Sequence, residues 1–438
     1  MSTQIMNKST GTKSAKSEAP FPKGLEKAAE PTKPWFSGKG MEMGEQGLYH
    51  LPKDHAWHSG PTYFCNDFQE WHYFTFLGTD KKTGHAITLF WCGFWQGWSK
   101  TLNRPGLMTV FAWHDTVTGE FINTTSSPVS KFETNGNGEP NFGFKYSIKD
   151  PDGVGFATTY EHVQEKWTFK SFAPEKGKFI GTPYSMDVTG YVKEPGYIPQ
   201  AYWGFESIGI DKLRRQNPET MFGMSYYHTA PEMEMKGKVT LADGEHEIEG
   251  VAWFEHQWGN FRNTECSRYF WGYARFDNGD AITWRQYYGN PVGKLAMEIP
   301  FDKETAIKAW HDPRPEVNRF AFIPKGNPAE YAFGPTFLFT PIKWWTSPES
   351  GLEYPWWGEM KTPKGIFYLS PTFPAQESVT PVGSFIEGAL LLREDSIDGP
   401  VVAHGFCELV QLPALGNPLT RELPERPVLA FHGGLKLK

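Results

Sequence analysis

Apolar and polar residues alternate with a period of two along much of this chain from His50 onward. In an extended segment Glu70, His72, Phe74 and Phe76 fall on one face, and Trp71, Tyr73, Thr75 and Leu77 on the other. Turn residues occupy Thr79–Gly84. Then His85, Ile87, Leu89 and Trp91 alternate with Ala86, Thr88, Phe90 and Cys92, which predicts an aromatic β-hairpin. Short strands are predicted at Leu107–His114, Phe142–Ile148, Gly155–Tyr160, Glu165–Phe172 and Tyr184–Tyr191, with turn clusters at Asn135–Gly138 and Pro151–Gly153. Three stronger patterns follow at Glu247–Phe254, Arg268–Phe276 and Ala281–Tyr288, the last two joined by the hairpin turn Asp277–Asp280. A short helix is predicted at Lys303–Trp310, and the last strands at Ser384–Arg393 and Val401–Leu412. No long amphipathic helical period persists, and 35 Pro and 45 Gly interrupt the candidates. The pattern is that of an all-β sandwich or barrel rather than of βαβ units.

With 438 residues the chain exceeds one ordinary core, so two domains are expected. The polar, Lys-rich residues 1–40 read as a disordered tail, residues 41–245 as a first β-domain and residues 246–438 as a second. Aromatics make up 16% of the chain, with 18 Trp, which suggests an aromatic-lined cavity as well as a core. A net charge of -7 and the lack of a basic cluster argue against nucleic acid as a partner. The N-terminus has no apolar signal region and no stretch is long enough to span a bilayer, so a cytoplasmic protein is expected. The cysteines, at positions 65, 92, 266 and 407, show no zinc or disulfide spacing. His55, His58 and His72 match no standard metal site, so no metal is expected.

The densest candidate chemistry is Glu255-His256-Gln257-Trp258, at the end of an apolar strand pattern. An acid, a base, an amide and an indole lie within four residues. Such a group can protonate a neutral organic substrate and hold the resulting cation against a π-face. Glu255, His256 and Trp258 are therefore the catalytic candidates. Neighbouring strand positions point to opposite faces, so Glu255 and His256 face the same side only if a bulge intervenes. Glu70 and His72 share one face of the first strand and form a second acid–base pair if that face is interior. Tyr227 and His228 precede a turn and can hydrogen-bond a substrate oxygen. Trp271, Tyr273 and Trp284 supply aromatic wall, and Arg285 can stack on rings or clamp a carbonyl. The packing alternatives are core aromatics, capped strand ends and surface ion pairs. No Gly-x-Ser-x-Gly, phosphate-binding or dinucleotide motif accompanies a strand–helix unit, so no nucleophilic hydrolase and no cofactor are expected.

The run Trp253-Phe254-Glu255-His256-Gln257-Trp258-Gly259, preceded by Ser225-Tyr226-Tyr227-His228 and Gly250, resembles the W-x-D-H-x-W-G core of the carotenoid 1,2-hydratase family. That group also holds kievitone-hydratase-like enzymes. Glu70-Trp71-His72-Tyr73-Phe74 is similar to the family's early E-W-W-Y-F strand. Glu387-Gly388, with His404-Gly405-Phe406-Cys407-Glu408-Leu409, is similar to its late ending. The resemblance runs in order from about His50 to Leu412. It implies two consecutive lipocalin-like β-barrel domains and a hydrophobic substrate with a prenyl or polyene chain. Known activities of the group include hydration of an isolated double bond and, in fungal relatives, cycloaddition of polyenes. This chain departs from the pattern at Glu255 (Asp in the family) and His72 (Trp), and Thr283–Tyr287 lacks an Asp associated with hydration.

The expectation is a cofactor-independent hydratase, cyclase or isomerase acting on an isoprenoid, polyene or related natural product by protonation. A pericyclase that folds a polyene, and a non-catalytic carrier of a hydrophobic ligand, are the alternatives. The carrier lacks acid–base groups aimed at its ligand, and the pericyclase tolerates loss of the proton donor.

Overall fold

The computed structural model describes residue 55 and residues 68–99, 104–126, 132–135, 144–149, 155–175, 179–199, 205–207, 224–260, 268–288, 318–327, 329–380 and 383–411. The predicted helix at Lys303–Trp310 lies outside them. Among the described residues the regular structure is β-strand apart from short 3-10 turns. No helix among them is long and apolar enough to cross a membrane.

The strands form two sheets, of 14 and 10 strands. At the centre of the first, the Gly244–Asn260 strand pairs antiparallel with Met224–Leu241 on one side and with Phe68–Asp80 on the other. The Phe68–Asp80, Ala86–Ser99 and Arg104–Asp115 strands continue that edge as a meander. The second sheet has Arg268–Phe276 paired with Ala281–Tyr288 and Val401–Gln411, and Val401–Gln411 paired in turn with Gly383–Arg393. The predicted hairpin at Asp277–Asp280 is present, its turn closed by Gly279 N–H donating to the Phe276 carbonyl. Gly279 sits at φ 89°, in the left-handed region that only glycine adopts at little cost.

Each sheet curls on itself. In the first, Phe74 meets Phe169 at 4.9 Å between ring centroids, and Phe111 stacks on Tyr184 at 3.9 Å, although these strands are not neighbours. In the second, Phe270 meets Phe339 at 4.6 Å in the same way. Each curl encloses an apolar core, one around Phe74, Trp91 and Phe254 and the other around Phe270, Trp284 and Trp356. The all-β, lipocalin-like architecture expected from the sequence is the one found.

A third core joins the outer faces of the two sheets. Phe90 stacks on Phe406 at 5.6 Å, Trp253 on Tyr273 at 4.7 Å, and Tyr73 meets Trp271 edge-on at 5.6 Å. Such pairs each contribute about 0.5–1.5 kcal/mol beyond area burial. The His114 ring adds a polar tie, its Nε2 2.6 Å from the Glu387 carbonyl oxygen of the other sheet. The boundary expected at 245/246 falls inside the first sheet. The Gly244–Asn260 strand is hydrogen-bonded there along its whole length, and the change of sheet comes between Asn260 and Arg268.

Candidate functional site: two polar clusters on opposite faces of one strand

The Gly244–Asn260 strand sorts its side chains by parity. Phe254, His256 and Trp258 face the interior of the first curl; Trp253 and Glu255 face the junction between the sheets. No bulge interrupts its pairing with Phe68–Asp80 from Phe68↔Asn260 to Asp80↔Ile248, so neighbouring residues stay on opposite faces. Glu255 and His256 therefore belong to two separate sites.

The interior cluster is built by cross-strand register. His72, His256 and His228 lie level on three adjacent strands. His256 Nε2 lies 2.8 Å from Glu70 Oε1, and both side chains are fully buried. The His72 and His256 rings are 4.0 Å apart, with Trp258 4.5 Å from His256 and His228 5.3 Å from it. His72 Nε2 donates to the His55 carbonyl oxygen at 2.9 Å, and the His55 ring packs on Tyr160, Trp167 and Tyr197. The Glu70–His72 face predicted as a possible acid–base pair is thus interior, and Glu70 pairs with His256 rather than with His72. Among the described residues no group of three or more His, Cys, Asp or Glu has metal-binding geometry.

The junction cluster surrounds Glu255. The Trp253 indole N–H donates to Glu255 Oε1 at 2.7 Å. Burial pushes the Glu255 carboxyl up to about 8, against hydrogen bonds from Tyr227 and Trp253 and the charge of Arg285, which pull it down. Glu255 is thus largely a neutral acid at pH 7. The Arg285 guanidinium lies 4.8 Å from the Tyr269 ring centroid and 5.8 Å from that of Tyr227. Tyr269 O–H donates to Glu408 Oε1 at 2.6 Å. Burial raises the Glu408 and Glu387 carboxyls as well; the charge of Glu408 raises Glu387 further, while Tyr269 and Arg285 pull Glu408 down.

Of the predicted site residues, Glu70, His72, His228, His256 and Trp258 meet in the interior cluster. Glu255, Tyr227, Trp271, Tyr273 and Arg285 meet in the junction. Trp284 joins neither: it packs in the second curl against Phe270 and Phe337. Every residue of Ala281–Tyr288 is buried, so neither face meets solvent and alternation alone does not tell core from junction. Trp258 stands on the His256 face, on the opposite side of the strand from Glu255. Sequence reasoning misses Tyr73, Tyr269, Glu387 and Glu408. The available signal is a glutamate in each of two apolar strands, Glu387 in Gly383–Arg393 and Glu408 in Val401–Gln411.

No protein-family model matches the sequence, and no curated protein matches it significantly. The fold does match solved structures. A protein from Nitrosomonas europaea described as an AttH superposes with a TM-score of 0.59 at 16% identity, over 83% of this chain and 97% of that one. Kievitone hydratase from Nectria haematococca gives a TM-score of 0.52 at 14% identity, over 78% and 88%. CghA gives 0.52 at 10% identity, over 81% and 90%. The chain thus has the two-sheet lipocalin-like fold of kievitone hydratase and CghA.

Proposed function

We propose that this chain is an enzyme of the hydratase or cyclase type that protonates a hydrophobic alkene or carbonyl substrate at the junction of its two sheets. The observation that carries this reading is Glu255, a buried carboxyl held neutral near pH 7 and fixed by Trp253 among aromatic rings. A carboxylic acid kept protonated at working pH is a competent general acid. In the proposed step the Glu255 O–H delivers its proton to substrate carbon or oxygen and leaves a carboxylate, which Arg285 favours. Trp253, Trp271 and Tyr73 face the cation that results, each ring worth about 0.5–2 kcal/mol. Water then adds, or an internal π-bond closes a ring. The hydrophobic walls suit an isoprenoid or polyene, and structural likeness to a hydratase and a cyclase agrees with either outcome.

A second reading uses the same neutral acid as a hydrogen-bond donor that holds a polyene for pericyclic closure; the likeness to CghA favours it. Turnover of a panel of isoprenoid and polyene substrates in heavy water separates the two. Protonation of an alkene carbon leaves one deuterium on product carbon, whereas a pericyclic closure leaves none. A carrier returns every compound unchanged, and that result with all panel members would overturn the enzyme reading.

A further inference from the structure

If Glu255 supplies the proton, some group must take one back. Glu387 and Glu408 stand directly opposite each other on paired antiparallel strands. Both strands turn these side chains toward the junction: Ile386, Cys407 and Leu409 fill the second core, whereas Phe385, Phe406 and Val410 belong to the junction core. Carboxylates directly opposite on one face repel and do not both ionise in a buried site. Tyr269 donates to Glu408 at 2.6 Å, and Arg285 favours its charged form. Of the pair, Glu408 is therefore the one that ionises first and Glu387 the one that keeps its proton.

Two buried polar atoms point to what binds there. Glu387 Oε2 and the Tyr73 hydroxyl have no hydrogen-bond partner among the described residues, and Glu387 is only 3% exposed. The two groups influence each other electrostatically, and Glu255 and Glu408 act on both. A donor and an acceptor left unfilled in one buried neighbourhood ask for a molecule that both accepts and donates, such as water or a hydroxyl.

We propose that the Glu387–Glu408 pair, with Tyr73, holds the nucleophilic water and that Glu408 is the catalytic base complementary to Glu255. The inference rests on the proposed protonation by Glu255. The Glu255 O–H bond breaks and a C–H bond forms, giving a carbocation and a Glu255 carboxylate. The water oxygen bonds to the cation while its proton passes to the Glu408 carboxylate, giving an alcohol. Return of that proton from Glu408 to Glu255 restores the site, so the sum is alkene plus water to alcohol. In a cyclisation Glu408 instead removes the terminating C–H proton, and the product is an isomer of the substrate.

The groups facing the pair fix how it titrates. From the first sheet come Tyr73, Cys92 and Glu255, with the His114 ring on the Glu387 carbonyl. From the second sheet come Tyr269 and Arg285, and Cys407 lies next to Glu408 in its own strand. Glu387 keeps its proton while Glu408 titrates, so E387Q leaves the acidic limb of the pH–rate profile in place. Removing the Tyr269 hydroxyl takes a hydrogen bond from charged Glu408, so Y269F moves that limb to higher pH. E408Q lowers turnover by about 100-fold or more.

A substrate-free arm uses infrared spectra of protein with isotope-labelled glutamate, with near-ultraviolet circular dichroism to establish that each variant is folded. Because Glu387 keeps its proton, E387Q loses part of the protonated-carboxyl band, whereas E408Q retains it. An unchanged protonated-carboxyl band in folded E387Q, or an acidic limb unmoved in folded Y269F, would overturn the pair. Loss of turnover in E255Q with full turnover in E408Q overturns the base while sparing the acid. Full turnover in E255Q instead removes the protonation reading on which both depend.

Discussion

Glu255 and His256 are neighbours in sequence that share no site: one accepts from Trp253 at 2.7 Å in the junction between the sheets, the other pairs with Glu70 at 2.8 Å inside the first curl. The separation follows from the period of an unbroken strand, and it divides the mutational consequences as well.

Glu255→Gln keeps the acceptor for the Trp253 indole and removes the transferable proton. Turnover is expected to fall by about 100- to 10,000-fold, with the folded protein retained, because a neutral amide replaces a carboxyl that is already largely neutral at pH 7. Product formation together with thermal unfolding tests this. A variant that loses activity only in proportion to lost folded protein would assign Glu255 a packing role.

Stability should carry the pH signature of the same group. The Glu255 carboxyl rises from 4.5 to about 8 on folding, so between those values the folded chain keeps a proton that the unfolded chain releases. Its contribution is full below about pH 4.5 and is lost as pH rises through about 8, at up to about 1.4 kcal/mol per pH unit. His114 acts in the opposite sense. Burial lowers it from 6.5 to about 4, so its contribution is full above pH 6.5 and is lost as pH falls through about 4. Unfolding midpoints measured across this range should show a shallower alkaline decline in Glu255→Gln than in the wild type. Parallel curves would place an ordinary carboxylate at this position.

His256→Ala is expected to cost about 1–3 kcal/mol, because the buried Glu70 carboxyl loses its hydrogen bond to His256. Chemical denaturation reads this directly. Stability equal to the wild type would mean that this hydrogen bond contributes nothing to the fold. With Glu255 as the acid, the activity left in His256→Ala, at a temperature where the variant is folded, exceeds that of Glu255→Gln.

Gly250→Ala should destabilise by about 1–3 kcal/mol. Gly250 lies opposite Gly78, and an added Cβ would meet the Leu77 carbonyl oxygen and the Gly78 Cα. The strands would have to separate close to the Phe76 ring. An unfolding midpoint equal to the wild type would show that the pair adjusts freely.

Much of this is legible in the sequence because one physical rule governs it. Period-two alternation alone puts Glu70 with His72 and separates Glu255 from His256. It fails where both faces of a strand are buried. Trp284 and Arg285 sit on a strand with every position buried, so which face meets the junction is decided by how the sheets pack, not by the strand's own pattern. Glu387 and Glu408 are visible in the sequence only as parts of a motif. Their meaning depends on register between two strands, and register is not written in either strand alone. The sheet boundary is misplaced for a similar reason: Gly244 begins a strand whose partners are Met224–Leu241 and the distant Phe68–Asp80.

The parity of the central strand also bears on how such a protein changes over generations. A single inserted residue before Trp253 would exchange the two faces and carry His256 into the junction and Glu255 into the core. Substitution has no such effect. Trp253 and Glu255 can be altered for one site while His256 and Trp258 keep the other, so each face can be edited independently. Length is frozen in this strand and chemistry is not, which is a route by which one scaffold comes to host unrelated reactions.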